Sequence, residues 1–339
     1  MAFTERRPFT DPARLGGEAG WWWPVALEGE GIQGPCRLEL FDEAMVLWRD
    51  SAGQPVIQRD RCPHRGASLS LGRVCEGQLQ CGYHGWRFDP TGRCVSVPAL
   101  PGFQPPVSAA VPTWPVRVHE GLLWTTAGDP GGARLPALPE SLPARRLVLG
   151  PFDVATSAAR AVENFLDTAH FATVHEGWLG DPGHPEVPTH AVTLSADGRP
   201  VVEAYRAWQP RASASAAGGA WVNYRYEVLS PYSALLTKQP EDGKAGPQDS
   251  YTIWACPTGD ERCRLWFAQY TSDLDSSDQL LCEFQTTIFS QDQPVLESQR
   301  PRRLPVSDEA PREVSTAADR LSAAYRRYLR QQGVRTGVC

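Results

Sequence analysis

The sequence predicts an α+β protein of two domains, an N-terminal all-β domain and a C-terminal antiparallel sheet packed against a helix. Three observations support this fold class. The chain has 339 residues, more than one hydrophobic core usually spans. Short strand-like runs separated by Gly and Pro fill residues 20–127 without helical periodicity. Helical and strand-like segments are mixed after residue 157. The expected domains are 18–130 and 145–335, with a Gly/Pro-rich linker at 128–143.

The composition is that of an ordinary globular protein, with 41% hydrophobic and 21% charged residues. A formal net charge of −6 disfavours nucleic-acid binding, which needs a basic face. We expect no signal peptide and no membrane span, because no apolar run of suitable length occurs. With nine cysteines and no secretion signal, metal ligation is favoured over a disulfide framework, and the expected location is the cytoplasm.

The predicted strands of the N-terminal domain are short and rich in β-branched and aromatic residues. They cover residues 21–27, 38–48, 56–58, 78–81 and 122–126. In the C-terminal domain a helix is predicted over 157–176 from its apolar spacing, followed by a Gly/Pro/His-rich loop over 177–190. Strands are expected at 192–194, 201–205, 221–229, 234–236, 251–255 and 264–270, and flexible loops at 212–220 and 241–248.

Two patterns indicate which faces of the C-terminal elements are buried. In strand 221–229 the alternating residues Val222, Tyr224, Tyr226 and Val228 form an apolar face, as in a sheet covered on one side. Near the C-terminus, apolar residues repeat every three or four positions from 314 to 329. This spacing predicts a long amphipathic helix that packs on the sheet.

Two short motifs combine cysteine and histidine at metal-ligand spacing. Cys62-Pro63-His64 and Cys81-Gly82-Tyr83-His84 each supply one thiolate and one imidazole. Such a set can hold zinc tetrahedrally. It also suits a [2Fe–2S] cluster in which one iron is held by two thiolates and the other by two imidazoles. The flanking glycines favour the cluster, because they let backbone N–H groups approach the sulfides.

With their neighbours, these motifs resemble the Rieske domain of the Rieske non-haem iron oxygenases. The resemblance implies one [2Fe–2S] cluster per chain, bound by Cys62, His64, Cys81 and His84. Rieske proteins of respiratory and photosynthetic complexes are the alternative, and they carry an extra cysteine in each loop and a serine after the second His-Gly. Here the corresponding residues are Ala67, Tyr83 and Trp86, which favours the oxygenase type.

A second candidate site lies in the predicted helix 157–176. His170 and His175 are five residues apart, which turns them roughly 140° from each other on a regular helix. Two ligands of one metal would require the helix to widen or to end near Thr173. Asp167 precedes His170 by three residues on the same face, so it can accept the ring N–H and fix the tautomer.

Two histidines and one carboxylate form the facial triad of non-haem Fe(II) oxygenases. Asp292 is the candidate carboxylate, although the sequence alone equally suits an Asp that caps a helix N-terminus. The pattern Asn164-x-x-Asp167-x-x-His170-x4-His175 and the later Gln-Asp segment resemble the catalytic domain of the same oxygenases. The resemblance implies a helix-grip fold and one Fe(II) per chain held by His170, His175 and Asp292. It also implies catalytic roles for Asn164 and Asp167.

Further implications of the resemblance concern assembly and electron supply. The chain is expected to form a homotrimer in which Asp167 links His170 to His84 of a neighbouring subunit. No ferredoxin motif and no dinucleotide-binding loop occurs, so electrons should come from a separate NAD(P)H-dependent reductase or ferredoxin. No nucleic acid and no membrane partner is expected.

The expected function is the monooxygenation of an aromatic or polycyclic small molecule with O2, by hydroxylation or by O- or N-demethylation. The short chain, its Gln299-Arg300-Pro301 segment and its Tyr325-Arg326 helix resemble the vanillate O-demethylase, pheophorbide oxygenase and saxitoxin-pathway hydroxylase branch. Three alternatives stay open: arene cis-dihydroxylation, a Rieske electron carrier with a vestigial second site, and a zinc-stabilised binding module.

Other polar and aromatic residues have less specific interpretations. His184 and His190 are expected to be solvated loop residues, and Arg326, Arg327 and Arg330 a solvated helix face. Six aromatic residues are expected mostly in the core, with one or two in contact with substrate. These six are Trp208, Trp221, Tyr224, Tyr232, Trp254 and Trp266.

Overall fold

The computed structural model describes residues 15–216, 218–241 and 248–339. The first fourteen residues, and with them the expectation about a signal peptide, lie outside this range, as do parts of the predicted loops 212–220 and 241–248. The chain forms two compact units, Ala19–Leu135 and Pro136–Cys339, the second including Gly16–Glu18. Among the described residues, no helix is long and apolar enough to cross a membrane.

The first unit contains three antiparallel sheets, with strand orders β1-β11-β10, β2-β3-β4-β9 and β5-β6-β7-β8. The predicted strand 38–48 is a hairpin of two strands, because Phe41 and Asp42 adopt positive φ and reverse the chain. The strands are β1 Trp23–Leu27, β2 Cys36–Leu40, β3 Glu43–Arg49, β4 Pro55–Arg59, β5 Arg73–Cys75, β6 Gln78–Gln80, β7 Arg87–Phe88, β8 Cys94–Ser96, β9 Thr113–Trp114, β10 Val116–His119 and β11 Leu122–Thr125.

The second unit is built on one seven-stranded antiparallel sheet of order β12-β18-β17-β16-β15-β14-β13. Val222, Tyr224, Tyr226 and Val228 are buried, as their alternation predicts. The first strand, β12, was not predicted. The strands are β12 Arg145–Val154, β13 Thr193–Leu194, β14 Pro200–Gln209, β15 Ala220–Ser230, β16 Ser233–Pro240, β17 Asp249–Gly259 and β18 Arg262–Thr271.

The described residues include four α-helices, all in the second unit. These are α1 Ala158–Leu166, α2 Phe171–Val174, α3 Asp278–Ser298 and α4 Arg320–Gln331. Ser157 caps α1 by accepting a hydrogen bond from the Arg160 backbone N–H at 3.2 Å. Three of the seven buried residues of α1 are alanines, and these small side chains let the helix pack closely on β16 and β17.

The structure corrects two of the helix predictions and adds a third helix. The helix predicted over 157–176 is two helices, because the chain becomes extended at Asp167 (φ −78°, ψ 137°). The C-terminal helix begins at Arg320 rather than near Val314, whose side chain is 95% exposed. The 21-residue helix α3 was missed, because Pro294 and many polar side chains conceal its apolar spacing. Asp292 lies inside this helix, so its reading as an N-terminal cap is wrong.

Arg326 is a further correction, because it belongs to a half-buried ion-pair network rather than to a solvated face. Its guanidinium donates to both oxygens of Glu163, at 2.5 and 2.8 Å, and to Glu313 at 2.7 Å. Arg160 also pairs with Glu313, at 2.6 Å. These contacts join α1 to α4. Arg327, by contrast, is exposed as expected.

We expect Arg326→Met to lower the free energy of unfolding by about 3 kcal/mol, because it leaves the buried Glu163 carboxylate without its principal partner. Urea-induced unfolding followed by circular dichroism measures the change. The matched control is Arg327→Met on the exposed face of the same helix, which should change stability by less than about 0.5 kcal/mol. Equal losses in the two variants would contradict a stabilising role for the network.

Candidate metal centres

The two loops that carry the Cys and His pairs have the same backbone design. The Cys62 N–H donates to Ala67 O and the Gly66 N–H to Cys62 O, both at 2.8 Å. In the second loop the Cys81 N–H donates to Trp86 O at 2.8 Å, and the N–H of Gly85 donates to Cys81 O at 3.1 Å. Each glycine lies four residues after its cysteine. Both have positive φ, +74° and +71°, a conformation that favours glycine.

The side chains of these loops fit an iron–sulfur cluster. His64 Nδ1 is buried and has no hydrogen-bond partner, a costly state for a ring nitrogen that does not bind a metal. The His64 ring stacks on Trp86 with centroids 4.6 Å apart and lies 4.5 Å from the His84 ring. Burial, together with the nearby Cys81, raises the pKa of the Cys62 thiol to about 11. Backbone N–H groups of His64 and Arg65 oppose this rise by donating to the sulfur.

The arrangement of these donors disfavours a single zinc ion. A tetrahedral zinc ion with bonds of about 2.0–2.3 Å holds its ligand atoms less than about 4 Å apart. Within the part of the chain that the structure describes, one group of three or more such donors lies within 4.8 Å, and it is His170, His175 and Asp292. The four donors of the two loops do not form such a compact group among the described residues, which agrees with two irons rather than one metal ion.

The second centre lies where the break after α1 brings His170 and His175 to the residues of α3. His170 immediately precedes α2, and His175 immediately follows it, so the helix does end between the two histidines as expected. The Nε2 atoms of the two rings are 3.2 Å apart. Asp292 Oδ1 lies 3.4 Å from the Nε2 of His170 and 3.3 Å from that of His175. Donors about 2.1 Å from a common divalent ion are about 3.0–3.5 Å apart. The triangle formed by His170 Nε2, His175 Nε2 and Asp292 Oδ1 therefore fits one metal ion.

Hydrogen bonds on the far side of each imidazole ring fix which nitrogen faces the centre. His170 Nδ1 lies 3.1 Å from Asp167 Oδ2, and His175 Nδ1 lies 2.8 Å from Gln291 Oε1. Burial raises the pKa of Asp167, but hydrogen bonds from His170 and from backbone N–H groups outweigh it, so the pKa lies below its ordinary value. An ionised Asp167 only accepts, so the His170 proton is on Nδ1. Both Nε2 lone pairs then point at Asp292, an arrangement that a cation would stabilise.

Asn164 holds Asp292, the third member of the triangle, as Gln291 holds His175. Asn164 Nδ2 donates to Asp292 Oδ1 at 3.4 Å, which orients the carboxylate towards the rings. Gln291 was not singled out from the sequence. Its position next to Asp292 was the available signal, because adjacent residues on one helix turn can place a candidate ligand and a hydrogen-bond partner of another ligand at the same centre.

A compact cavity of about 70 Å³ opens on the triangle. Its lining is mainly aromatic and aliphatic, with few polar groups. The aromatic lining includes Phe165, Phe171, Tyr224, Tyr251, Phe267 and Phe289. Such an apolar cavity with a few convergent polar groups is typical of a small-molecule site.

Two protein-family models match the sequence of this chain. A model described as a Rieske [2Fe-2S] domain matches residues 22–115, and one described as the Vanillate O-demethylase oxygenase C-terminal domain matches residues 154–334. The chain belongs to the Rieske non-haem iron oxygenases. The predicted fold class, the [2Fe–2S] cluster and the mononuclear iron are thereby confirmed.

Relatives of this Rieske oxygenase include two demethylases of Pseudomonas putida. The methylxanthine N1-demethylase NdmA is 31% identical over 322 residues, and the N3-demethylase NdmB is 30% identical over 330 residues. Each alignment covers 91% of this chain and 88% of the relative. The solved structure of NdmA with caffeine matches with a TM-score of 0.79 at 29% identity, over 93% of this chain and 90% of that chain. Dicamba monooxygenase shares the fold, with a TM-score of 0.74 at 23% identity over 94% and 98% of the two chains.

Family membership makes this oxygenase an O2-dependent oxidoreductase. It is a terminal component that acts on a small molecule with electrons from a separate reductase or ferredoxin. Monooxygenation of an aromatic substrate is the function that its relatives support.

The remaining predicted residues are distributed among the core and two cavities. Of the six aromatics, Tyr224 lines the cavity at the triangle, and Tyr232, Trp254 and Trp266 are in the core. Trp208, Trp221 and His184 line a second cavity, of about 350 Å³. The His184 side chain is 46% exposed and pairs with Asp181 at 3.0 Å. His190 is only 8% exposed, so its expected solvation is wrong.

We expect Asp292→Asn to remove the mononuclear iron and leave the cluster, because an amide oxygen is a weaker, uncharged ligand. Iron content should fall from about three to about two atoms per chain, with the visible spectrum of the cluster unchanged. The matched control is Glu283→Gln, an exposed carboxylate on the same helix. Loss of cluster iron together with the third atom, or retention of all three, would contradict the assignment.

Proposed function

We propose that this chain is a terminal monooxygenase that hydroxylates a compact aromatic substrate or removes a methyl group from its oxygen or nitrogen. The observation that carries the proposal is the His170, His175 and Asp292 triangle at the apolar cavity. Demethylation is supported by the NdmA and NdmB relatives, which match along nearly the whole chain. The chain would thereby convert a methyl ether or an N-methyl group into formaldehyde and the demethylated product.

The ligand assignment is part of the proposal. Cys62, His64, Cys81 and His84 would hold the cluster, and His170, His175 and Asp292 the mononuclear iron. With both groups bound, the iron supplies O2 activation and the cluster supplies electrons.

The chain's own residues orient these ligands and exclude water. Asp167 and Gln291 keep the two ring protons away from the centre, and Asn164 holds Asp292 in place. The aromatic lining positions a flat substrate and keeps the cavity dry. We also propose the domain bounds 18–130 and 145–335 and a cytoplasmic location, where a reductase that uses NAD(P)H is available.

The proposed assembly is a homotrimer in which Asp167 links His170 to His84 of a neighbouring subunit. Two observations support it. The His84 ring and the adjacent Tyr83, which is 66% exposed, are on the surface of their unit. The Asp167 side chain is 28% exposed, so its carboxylate is accessible from outside. An electron could then pass between subunits along a short hydrogen-bonded path.

Oxygen-isotope labelling tests the reaction. A panel of methoxy- and N-methyl-substituted aromatics is screened for substrate-dependent O2 consumption with a generic reductase, and active compounds are repeated under ¹⁸O2. We expect one labelled atom per turnover and equimolar formaldehyde from methylated substrates. Two labelled atoms in a cis-diol would identify a dioxygenase. No O2 consumption by fully iron-loaded protein would favour an electron carrier.

Asp167→Asn tests the proposed link between subunits. Turnover should fall at least tenfold, roughly 1.4 kcal/mol in the barrier, while iron content and cluster spectrum are retained. The control is Asp181→Asn, because Asp181 pairs with His184 at the same three-residue spacing and lies outside the centre. Light scattering should give the mass of three chains for both variants. A monomeric mass, or equal activity of the two variants, would overturn the assembly proposal.

A further inference from the structure

One cationic side chain lies in the cavity beside the proposed iron site. Lys238 lines the same cavity as His170, His175 and Asp292, yet it is only 4% exposed. It lies on β16, whose alternating residues Ala234, Leu236 and Lys238 follow the same face. The predicted strand ended at residue 236. If the strand is extended by two residues, Lys238 takes the next position on its inward face. A lysine at such a position in an apolar strand was the feature of the sequence that could have revealed it.

The protein satisfies this ammonium group only in part. Lys238 Nζ donates one hydrogen bond, to Ala212 O at 2.7 Å. The ring centroids of Tyr251 and Phe284 lie 5.1 and 5.7 Å away. A lysine ammonium has three N–H donors. Among the described residues, Lys238 forms no ion pair and donates no hydrogen bond other than that to Ala212 O, so two of its donors have no acceptor there.

Such an arrangement is costly unless a ligand completes it. Burial lowers the pKa of Lys238, and Asp249 opposes this by favouring the charged form. Asp249 is itself buried, and burial raises its pKa. A buried cation is stabilised chiefly by a close anion with good hydrogen-bond geometry. The cavity is the open side of Lys238 from which such an anion can approach.

We propose that Lys238 is a specificity-determining residue that binds a carboxylate on the aromatic substrate, so that the substrate is an aromatic acid. The inference rests on the proposed function only in taking this cavity as the substrate site. The aromatic lining packs on the ring, and Lys238 fixes its orientation with a charge-assisted hydrogen bond. The methyl or ring carbon to be oxidised is thereby directed towards the triangle. Gln285, also in the lining, is a further polar contact for the substrate.

A purely structural role for Lys238 makes a different prediction. If Lys238 only ties the Ala212 carbonyl to the sheet, its replacement lowers stability and weakens every ligand alike. A specificity role instead changes the preference between an acid and its neutral analogue. The ratio of two dissociation constants separates these cases, because loosening of the fold affects both ligands.

The test is calorimetric titration of the iron-loaded enzyme with 3-methoxybenzoate and with 3-methoxybenzamide, which have the same shape and differ in charge. We expect the wild type to bind the benzoate at least tenfold more tightly, as befits one charge-assisted hydrogen bond. In Lys238→Met the ratio should fall to about one, and Lys238→Arg should retain part of the preference. The control is Gln239→Met, the exposed neighbour on the same strand, which should keep the full ratio.

Equal binding of the two ligands by the wild type would overturn the inference, whether or not the variants fold. An unchanged ratio in Lys238→Met would do the same. The outcome is independent of the proposed reaction. Lysine-dependent acid selectivity without O2 consumption would refute the monooxygenase proposal and leave this inference standing. Turnover of neutral aromatics without a preference for acids would refute this inference and leave the monooxygenase proposal standing.

Discussion

Three hydrogen-bond acceptors converge in the C-terminal unit, and the surrounding structure depends on this convergence. The Nε2 atoms of His170 and His175 and one oxygen of Asp292 lie 3.2–3.4 Å apart. Because both ring protons are on the opposite nitrogens, the lone pairs of all three atoms face one point. Lone pairs held this close repel one another, and a divalent cation at that point converts the repulsion into three bonds.

Packing elsewhere in the unit holds these atoms in place before any metal binds. The small residues of α1 let it lie close to the sheet, and the chain leaves the helix at Asp167, which directs both histidines towards α3. The unbroken helix α3 supplies two adjacent residues to the centre: Asp292, the third member of the triangle, and Gln291, which holds the His175 ring. Ion pairs of Glu163 and Arg326 fix α1 against α4. The triangle is therefore preorganised, as metal sites with open coordination positions require.

The sequence was sufficient for the features that depend on local spacing. The Cys-x-His and Cys-x-x-His motifs predict a cluster domain because each ligand pair lies in one short loop. The alternation in β15 predicts its buried face because the strand period is two. Contacts between segments that are distant in the sequence were harder to predict. Nothing local to Asp292 distinguishes a ligand from a cap, and Pro294 conceals the helix that contains it. Likewise, Arg326 has a partner 163 residues away in the sequence. The proposed role of Lys238 can be recognised only in the folded sheet, which places this residue in the cavity beside the triangle.

We propose that one chain holds two distinct iron centres. Anomalous diffraction from crystals of the isolated protein, recorded on both sides of the iron absorption edge, tests it most directly. We expect one elongated iron peak enclosed by Cys62, His64, Cys81 and His84, and one compact iron peak within bonding distance of His170, His175 and Asp292. A missing second peak, or a peak at either centre that follows the zinc edge, would contradict this assignment.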